Sequence, residues 1–109
     1  GISSEIYNCM SYIRCHTNEN LSIEDIAKQI HRSSSYTMKH FKEELGINIG
    51  AYIVRCKLED AKGLLTYSDK SLTEISNYLC FSSQSYFQNV FQKKYGLTPL
   101  QYRKKTQHI

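Results

Sequence analysis

The chain is a duplication. Between Ser22 and Tyr52, and again between Ser71 and Tyr102, like residues recur in the same order. Ser22 pairs with Ser71, Ile26 with Ile75, Ile30 with Leu79 and Ser33 with Ser82 at a spacing of 49; Tyr36 pairs with Tyr86, Phe41 with Phe91, Gly46 with Gly96 and Tyr52 with Tyr102 at 50. A chain of 109 residues holds two such copies, whereas a solenoid needs about three or more repeats to bury a continuous core. The duplication therefore restricts the fold to two like substructures and a connection, with one extra residue in the turn of the second copy.

Within each copy only helices are legible. Ser22-Ile-Glu-Asp25 and Ser71-Leu-Thr-Glu74 are capping-box-like starts, whose hydroxyls can accept from orphan amides of a first helical turn. Ile23, Ile26, Ala27 and Ile30 then predict a helix of about nine residues, and Leu72, Ile75 and Leu79 repeat the stripe. A second helix follows in each copy, opened by Ser33 in the first and by Ser82 or Ser83 in the second, and stopped by Gly46 or Gly96 in a left-handed conformation. Before the first copy, Ile2, Ile6, Cys9, Met10 and Ile13 form one apolar stripe that ends near His16. Between the copies Asn48 can cap a helix from Ile49 to about Thr66, with Tyr52, Ile53, Cys56, Ala61, Leu64 and Leu65 on its buried face. Gly63 inside that helix suggests close approach of another helix. Thr98-Pro99 starts a short last one. The expected fold is all-α, with seven helices in one domain over 1–109. Helix-turn-helix units at about 22–46 and 71–96 are joined by the long helix at 49–66, and a terminal helix spans about 99–106.

Composition narrows the chemistry. With 40% hydrophobic and 22% charged residues, one Pro and five Gly, the chain is of ordinary globular make-up. No apolar run approaches the ~20 residues of a membrane span, and no signal-peptide pattern opens the sequence, so no membrane association is expected. The first residue is Gly1, which suggests a piece of a longer protein. Cys9, Cys15, Cys56 and Cys80 form no CxxC pair, and Cys15 and His16, about 100° apart on a helix, make no ligand pair. Reduced thiols in a cytoplasmic protein, with no metal and no cofactor, are the expectation. No Ser/His/Asp arrangement, phosphate loop or carboxylate pair marks an enzyme.

Fourteen Lys and Arg against ten Asp and Glu give a net charge of +4. The distribution is uneven: residues 1–74 carry nine basic and ten acidic groups, residues 75–109 five basic and none acidic. Arg103, Lys104 and Lys105 alone would read as a solvated tail, but Lys93 and Lys94 lie inside a helical pattern. A one-sign surface on a repeated helix pair suits a polyanion.

A helix-turn-helix places its second helix in the major groove of double-stranded DNA, with its N-terminal residues at the base edges. The second helix of copy one exposes Ser34, Ser35, Met38, Lys39 and Lys42; that of copy two exposes Gln84, Ser85, Gln88, Asn89 and Lys93. Asn and Gln can bond adenine in bidentate fashion, Lys reaches guanine or phosphate, and Met suits a thymine methyl. Ser34 and Ser35 can equally serve as caps. Phe41, Phe81, Phe87 and Phe91, with Tyr52, Tyr86 and Tyr102, sit at helical spacing and read as core. Arg55, Lys57 and Lys62 read as a solvated helix face.

The segment Ile26-Ala-Lys-Gln-Ile-His-Arg-Ser-Ser-Ser-Tyr-Thr-Met-Lys-His-Phe-Lys42, with Gly46 after it, resembles the first helix-turn-helix of the AraC/XylS family of bacterial transcription regulators. Glu74-Ile-Ser-Asn-Tyr-Leu-Cys-Phe-Ser-Ser-Gln-Ser-Tyr-Phe-Gln-Asn-Val-Phe91, followed by Tyr95-Gly-Leu-Thr-Pro-Leu-Gln-Tyr-Arg103, resembles that family's signature second half. The resemblance, over about Ile2 to Arg103, implies a seven-helix DNA-binding domain with two reading heads. It further implies an effector-sensing or dimerising domain on the N-terminal side, and RNA polymerase as a partner of the intact regulator. Base-reading positions carried over fall on Ser35, Met38 and Lys39, with Ser34 at the edge, and on Gln84, Ser85, Gln88 and Asn89. The chain departs from the family at His31 and Cys80, where Gly is frequent, at Asn89, where Arg is frequent, and at Thr37 and His40, where Leu is usual. The rival expectation is a helical protein–protein adapter using Glu43-Glu44 and Glu59-Asp60. With no heptad seam, the isolated chain is expected to be monomeric.

Overall fold

The computed structural model describes residues 1–107; the last two residues of the expected domain lie outside them. Among the described residues the chain is all-α: α1 (Ser4–Cys15), α2 (Ile23–Lys28), α3 (Ser34–Leu45), α4 (Ile49–Tyr67), α5 (Leu72–Tyr78), α6 (Gln84–Tyr95) and α7 (Pro99–Thr106). It divides into two compact units, Gly1–Cys56 and a second that begins at Lys57, the boundary falling inside α4.

Helices begin at hydroxyl or amide side chains. Ser3, Ser22, Ser33, Ser71, Ser83 and Thr98 each accept from the backbone amide three residues on, at 3.0–3.3 Å, and Asn48 Oδ1 accepts from the Ala51 amide at 2.8 Å. Each bond satisfies a donor that the first turn leaves without an intrahelical partner. At Ser71 and Thr98 the box closes both ways, because Glu74 and Gln101 accept from the cap amides. Gly46 and Gly96 end α3 and α6 at φ 72° and 76°, the left-handed conformation that Gly adopts without a Cβ penalty.

The structure departs from the sequence reading in several places. Ile2 lies outside α1 and is exposed. α2 has six residues, not about nine, since the Gln29 and Ile30 amides bond three residues back, to Ile26 and Ala27, and tighten the chain out of the α-helix. Ser83, not Ser82, caps α6, so Ser33 corresponds to Ser83 and the extra residue of copy two lies just before that cap. Around Gly63 an added Cβ would meet nothing within 4 Å, so among the described residues no helix packs closely against it. Tyr86 is exposed, not core.

The first unit packs Ile6, Cys9 and Ile13 of α1 with Ile26, Ile30, Phe41, Ile49 and Tyr52. In the second, Leu58, Ala61, Leu65, Ile75, Leu79, Phe87 and Phe91 are buried. One ring pair is reproduced fifty residues later: Phe41–Tyr52 centroids stand 5.4 Å apart edge-on, Phe91–Tyr102 5.6 Å. Thr37 is fully buried, and its hydroxyl donates to the Ser33 carbonyl at 2.8 Å.

Both corners are built alike. His31 and Cys80 are left-handed, at φ 55° and 57°. In the first corner the Arg32 amide reaches back to the Ala27 carbonyl and the His31 amide to Lys28; in the second, Phe81 reaches Ser76 and Cys80 reaches Asn77. These 6→1 and 5→2 bonds define the Schellman motif, whose left-handed position is normally Gly. The left-handed turn is thus made without Gly, at a cost of about 1–2 kcal/mol per corner.

Candidate nucleic-acid interface

On α3, Thr37 and Phe41 are buried while Ser35, Met38, Lys39 and Lys42 are exposed and Ser34 is half-buried. On α6, Phe87 and Phe91 are buried, Ser85, Asn89 and Lys93 are exposed, and Gln84 and Gln88 are half-buried. Ser35, Met38, Lys39 and Lys42 on α3, and Ser85, Asn89 and Lys93 on α6, are the exposed members, whereas Ser34 and Gln84 stand three and seven residues before the buried pair of their own helix and so at the edge of its buried face. The first helices of the corners carry acid in their first turns, Glu24 and Asp25 in α2 and Glu74 in α5; α3 and α6 carry none. The first turns of α3 and α6 thus add no carboxylate of their own at the positive helix end.

Several of these side chains have intramolecular partners. Lys42 Nζ donates to the Gly46 carbonyl at 3.1 Å and so helps cap its own helix. Gln84 Oε1 accepts from Thr73 Oγ1 at 2.5 Å, which ties the start of α6 to α5. His40 stacks obliquely on Tyr36 at 4.0 Å and lies 3.8 Å from Glu43.

The first unit holds α3 from α1. Glu5 accepts from Arg32 Nε at 2.8 Å and from Tyr36 Oη at 2.9 Å, and the Arg32 guanidinium lies 4.5 Å from the Tyr36 ring centroid. The hydrogen bond from Arg32, then that from Tyr36, keeps the Glu5 carboxyl below its ordinary range. At the other end of α3, Glu44 accepts from both the amide and the hydroxyl of Ser3, at 2.7 and 2.9 Å. Glu44 is therefore engaged within the fold, half of the acidic pair that an adapter surface would use.

In the second unit two cations turn out to be structural. Lys57 is only 6% exposed and its ammonium donates to the Leu79 carbonyl, at the negative end of α5 and immediately before the left-handed Cys80. Arg103 donates to the carbonyls of Leu65, Leu64 and Ser68 at 3.0–3.4 Å, capping the end of α4 from α7. Neither a solvated helix face nor a tail describes them. Tyr95 Oη donates to Glu59 at 3.0 Å; burial, then that bond, pushes the phenol well above its ordinary range.

Arg32, Tyr86 and Thr73 escape the sequence reading. Arg32 follows the left-handed His31 and precedes the α3 cap, half-exposed at the corner; Tyr86 is 43% exposed in the first turn of α6. The sequence signal for both is position alone, Arg32 beside the corner and Tyr86 in the first turn of α6. Among the described residues no three His, Cys, Asp or Glu side chains group as metal ligands, none of the cysteines is in a disulfide, and no helix is long and apolar enough to cross a membrane.

Residues 26–105 match a family model described as a helix-turn-helix domain. The regulatory protein PocR of Salmonella typhimurium is 37% identical over 100 residues, which cover 92% of this chain and 33% of PocR. The chain spans a third or less of the length of the curated relatives it matches. Among solved structures, the C-terminal domain of AraT, a response regulator from Geobacillus stearothermophilus, superposes with a TM-score of 0.89 at 28% identity, covering 99% of this chain and 90% of that one. A transcriptional regulator of Chromobacterium violaceum, with an AraC-type DNA-binding domain, gives 0.87 at 26%, covering 94% and 91%. The chain belongs to the helix-turn-helix domain family, among the DNA-binding domains related to AraC/XylS-like regulators and response regulators.

Proposed function

We propose that this chain is the sequence-specific, double-stranded DNA-binding domain of a bacterial transcription regulator. In this reading α3 and α6 are two unlike reading helices, each entering a major groove of one asymmetric site. The observation that carries it is the pair of exposed polar helix surfaces, free of carboxylates before Glu43 in α3 and throughout α6, each on a helix that is buried at Phe41 or at Phe87 and Phe91. Ser35, Met38 and Lys39 read bases in the first head, with Ser34 at its edge; Gln84, Ser85, Gln88 and Asn89 do so in the second; Lys42 and Lys93 meet phosphates. The domain acts as a monomer with no catalytic role and no cofactor, and any dimerisation or contact with RNA polymerase belongs to the longer protein.

The test is selection of binding sites from random duplexes, followed by titration across salt. Counterion release makes affinity fall steeply with salt, and unlike heads select a non-palindromic site. A strict palindrome bound by one copy, or salt-independent binding, overturns the reading; the second outcome suits a protein–protein adapter.

A further inference from the structure

Arg32 stands at the first corner, between the left-handed His31 and the Ser33 cap of α3, and its guanidinium is held at two points. Nε donates to Glu5 of α1 at 2.8 Å, and the charged centre lies 4.5 Å from the centroid of the Tyr36 ring. Tyr36 is itself fixed, because its hydroxyl donates to the other Glu5 oxygen at 2.9 Å. Both carboxylate oxygens are thus engaged within the fold. The terminal nitrogens of Arg32, by contrast, take no hydrogen bond among the described residues, and its side chain is 49% exposed. An arginine fork that is fixed in place and left open suits two oxygens of one phosphate.

The ring that carries this guanidinium lies on the flank of α3, turned about 100° from Ser35 and about 60° from Lys39. A helix with its side chains is about 10–12 Å across and the major groove about 12 Å wide. A helix that turns Ser35 and Lys39 to the base edges therefore brings its flanks against the sugar–phosphate walls. We propose that Arg32 is a DNA-backbone contact, which bonds a phosphate beside α3 through its terminal nitrogens while Glu5 and Tyr36 hold it on the flank of that helix. The second head has no counterpart, since Phe81 occupies the equivalent place in its corner and is buried. The inference rests on the proposed function, since it assumes that α3 enters the groove.

The experiment takes the duplex selected by the wild-type chain, replaces its phosphates one at a time by uncharged methylphosphonate, and titrates the wild type, Arg32→Gln and Arg32→Lys on each. Lys39→Ala and Asn89→Ala, by the base positions they relax, tell the half of the site under α3 from the half under α6. Wild-type affinity should fall about tenfold at one phosphate of the α3 half. Arg32→Gln keeps a nitrogen donor at the position of Nε and removes the terminal nitrogens with their charge. It should bind the unmodified duplex about tenfold more weakly and be indifferent to that methylphosphonate, with every base preference unchanged. Arg32→Lys, which keeps the charge, should retain the response. If Arg32→Gln answers each methylphosphonate as the wild type does, or if it shifts base preference under α3, or if Arg32→Lys behaves as Arg32→Gln does, the contact is overturned; Arg32 is then a brace between α1 and α3, and the selected site still stands for the domain. A wild type that enriches no sequence overturns this inference and the proposed function together.

Discussion

Glu5 accepts a hydrogen bond from Tyr36 across 31 residues of sequence, 2.9 Å from carboxylate to phenol, while its other oxygen holds Arg32 at 2.8 Å. One carboxylate of α1 thereby sets both the corner of the first helix pair and the first turn of α3. Because its folded pKa lies below the ordinary value, its contribution is fully present above that value and is lost as pH falls through the depressed one. Thermal unfolding of the wild type and Glu5→Gln, followed from about pH 6 to about pH 3, should show midpoints that converge on acidification. A gap constant with pH would mean that the carboxylate charge plays no part.

The two left-handed corners make a prediction of opposite sign. Replacing His31 or Cys80 by Gly removes the steric cost of a Cβ at φ 55° or 57°, offset in part by the greater freedom of Gly in the unfolded chain. Each substitution should stabilise by about 0.5–1 kcal/mol, read as a higher urea midpoint at unchanged slope. Destabilisation at both sites would show that the side chains make compensating contacts.

Lys57 and Lys62 lie on the same helix and should behave differently. Lys57→Met keeps the stem but leaves the buried Leu79 carbonyl without its ammonium, a loss of about 1–3 kcal/mol. Lys62 forms a partly exposed pair with Glu59 at 3.3 Å, so Lys62→Met should stay within about 0.5 kcal/mol of wild type. Chemical denaturation of the two variants side by side separates them.

Gly63→Ala should raise stability by about 0.5–1 kcal/mol, because the position is helical and the added methyl meets open space. A fall in the thermal midpoint would restore the idea of a close neighbour at that residue.

On DNA, Asn89→Ala should cost about 1–3 kcal/mol at one base position and relax preference there. Lys42→Ala should weaken all duplexes nearly alike and lower the salt slope by about one. Equal loss on every sequence for Asn89→Ala would remove that residue from base reading.

Helix order, caps and stops were legible in the sequence because they rest on local chemistry: a hydroxyl three residues before an orphan amide, or a glycine after a stripe. The exposed positions of α3 and α6 were legible for the same reason, since helical period sorts Phe87 and Phe91 from Ser85 and Asn89, though not from Gln84, which stands three and seven residues before them. What escaped depends on long-range partners. Lys57 carries the same residue type as solvated lysines, and only its encounter with Leu79 buries it. Glu5, Tyr36 and Arg32 are unremarkable until the fold joins residues 27 and 31 apart. Tyr86 misled because it is an aromatic beside Phe87, although one residue along a helix turns it about 100° from that buried ring, and the position of the extra residue could not be fixed while Ser82 and Ser83 were equivalent candidates for one cap.

That extra residue leaves the two Schellman corners matched position for position, so that Arg32 in the first stands where Phe81 stands in the second. Arg32 is secured by charge, through Glu5; Phe81 is secured by burial, with its ring 5.0 Å from that of Phe87. Added electrolyte screens the first tie and leaves the second intact, while chilling weakens apolar burial and spares the ion pair. The two halves of a duplicated chain have in this way acquired different weak points, and the solvent conditions that loosen one are not those that loosen the other.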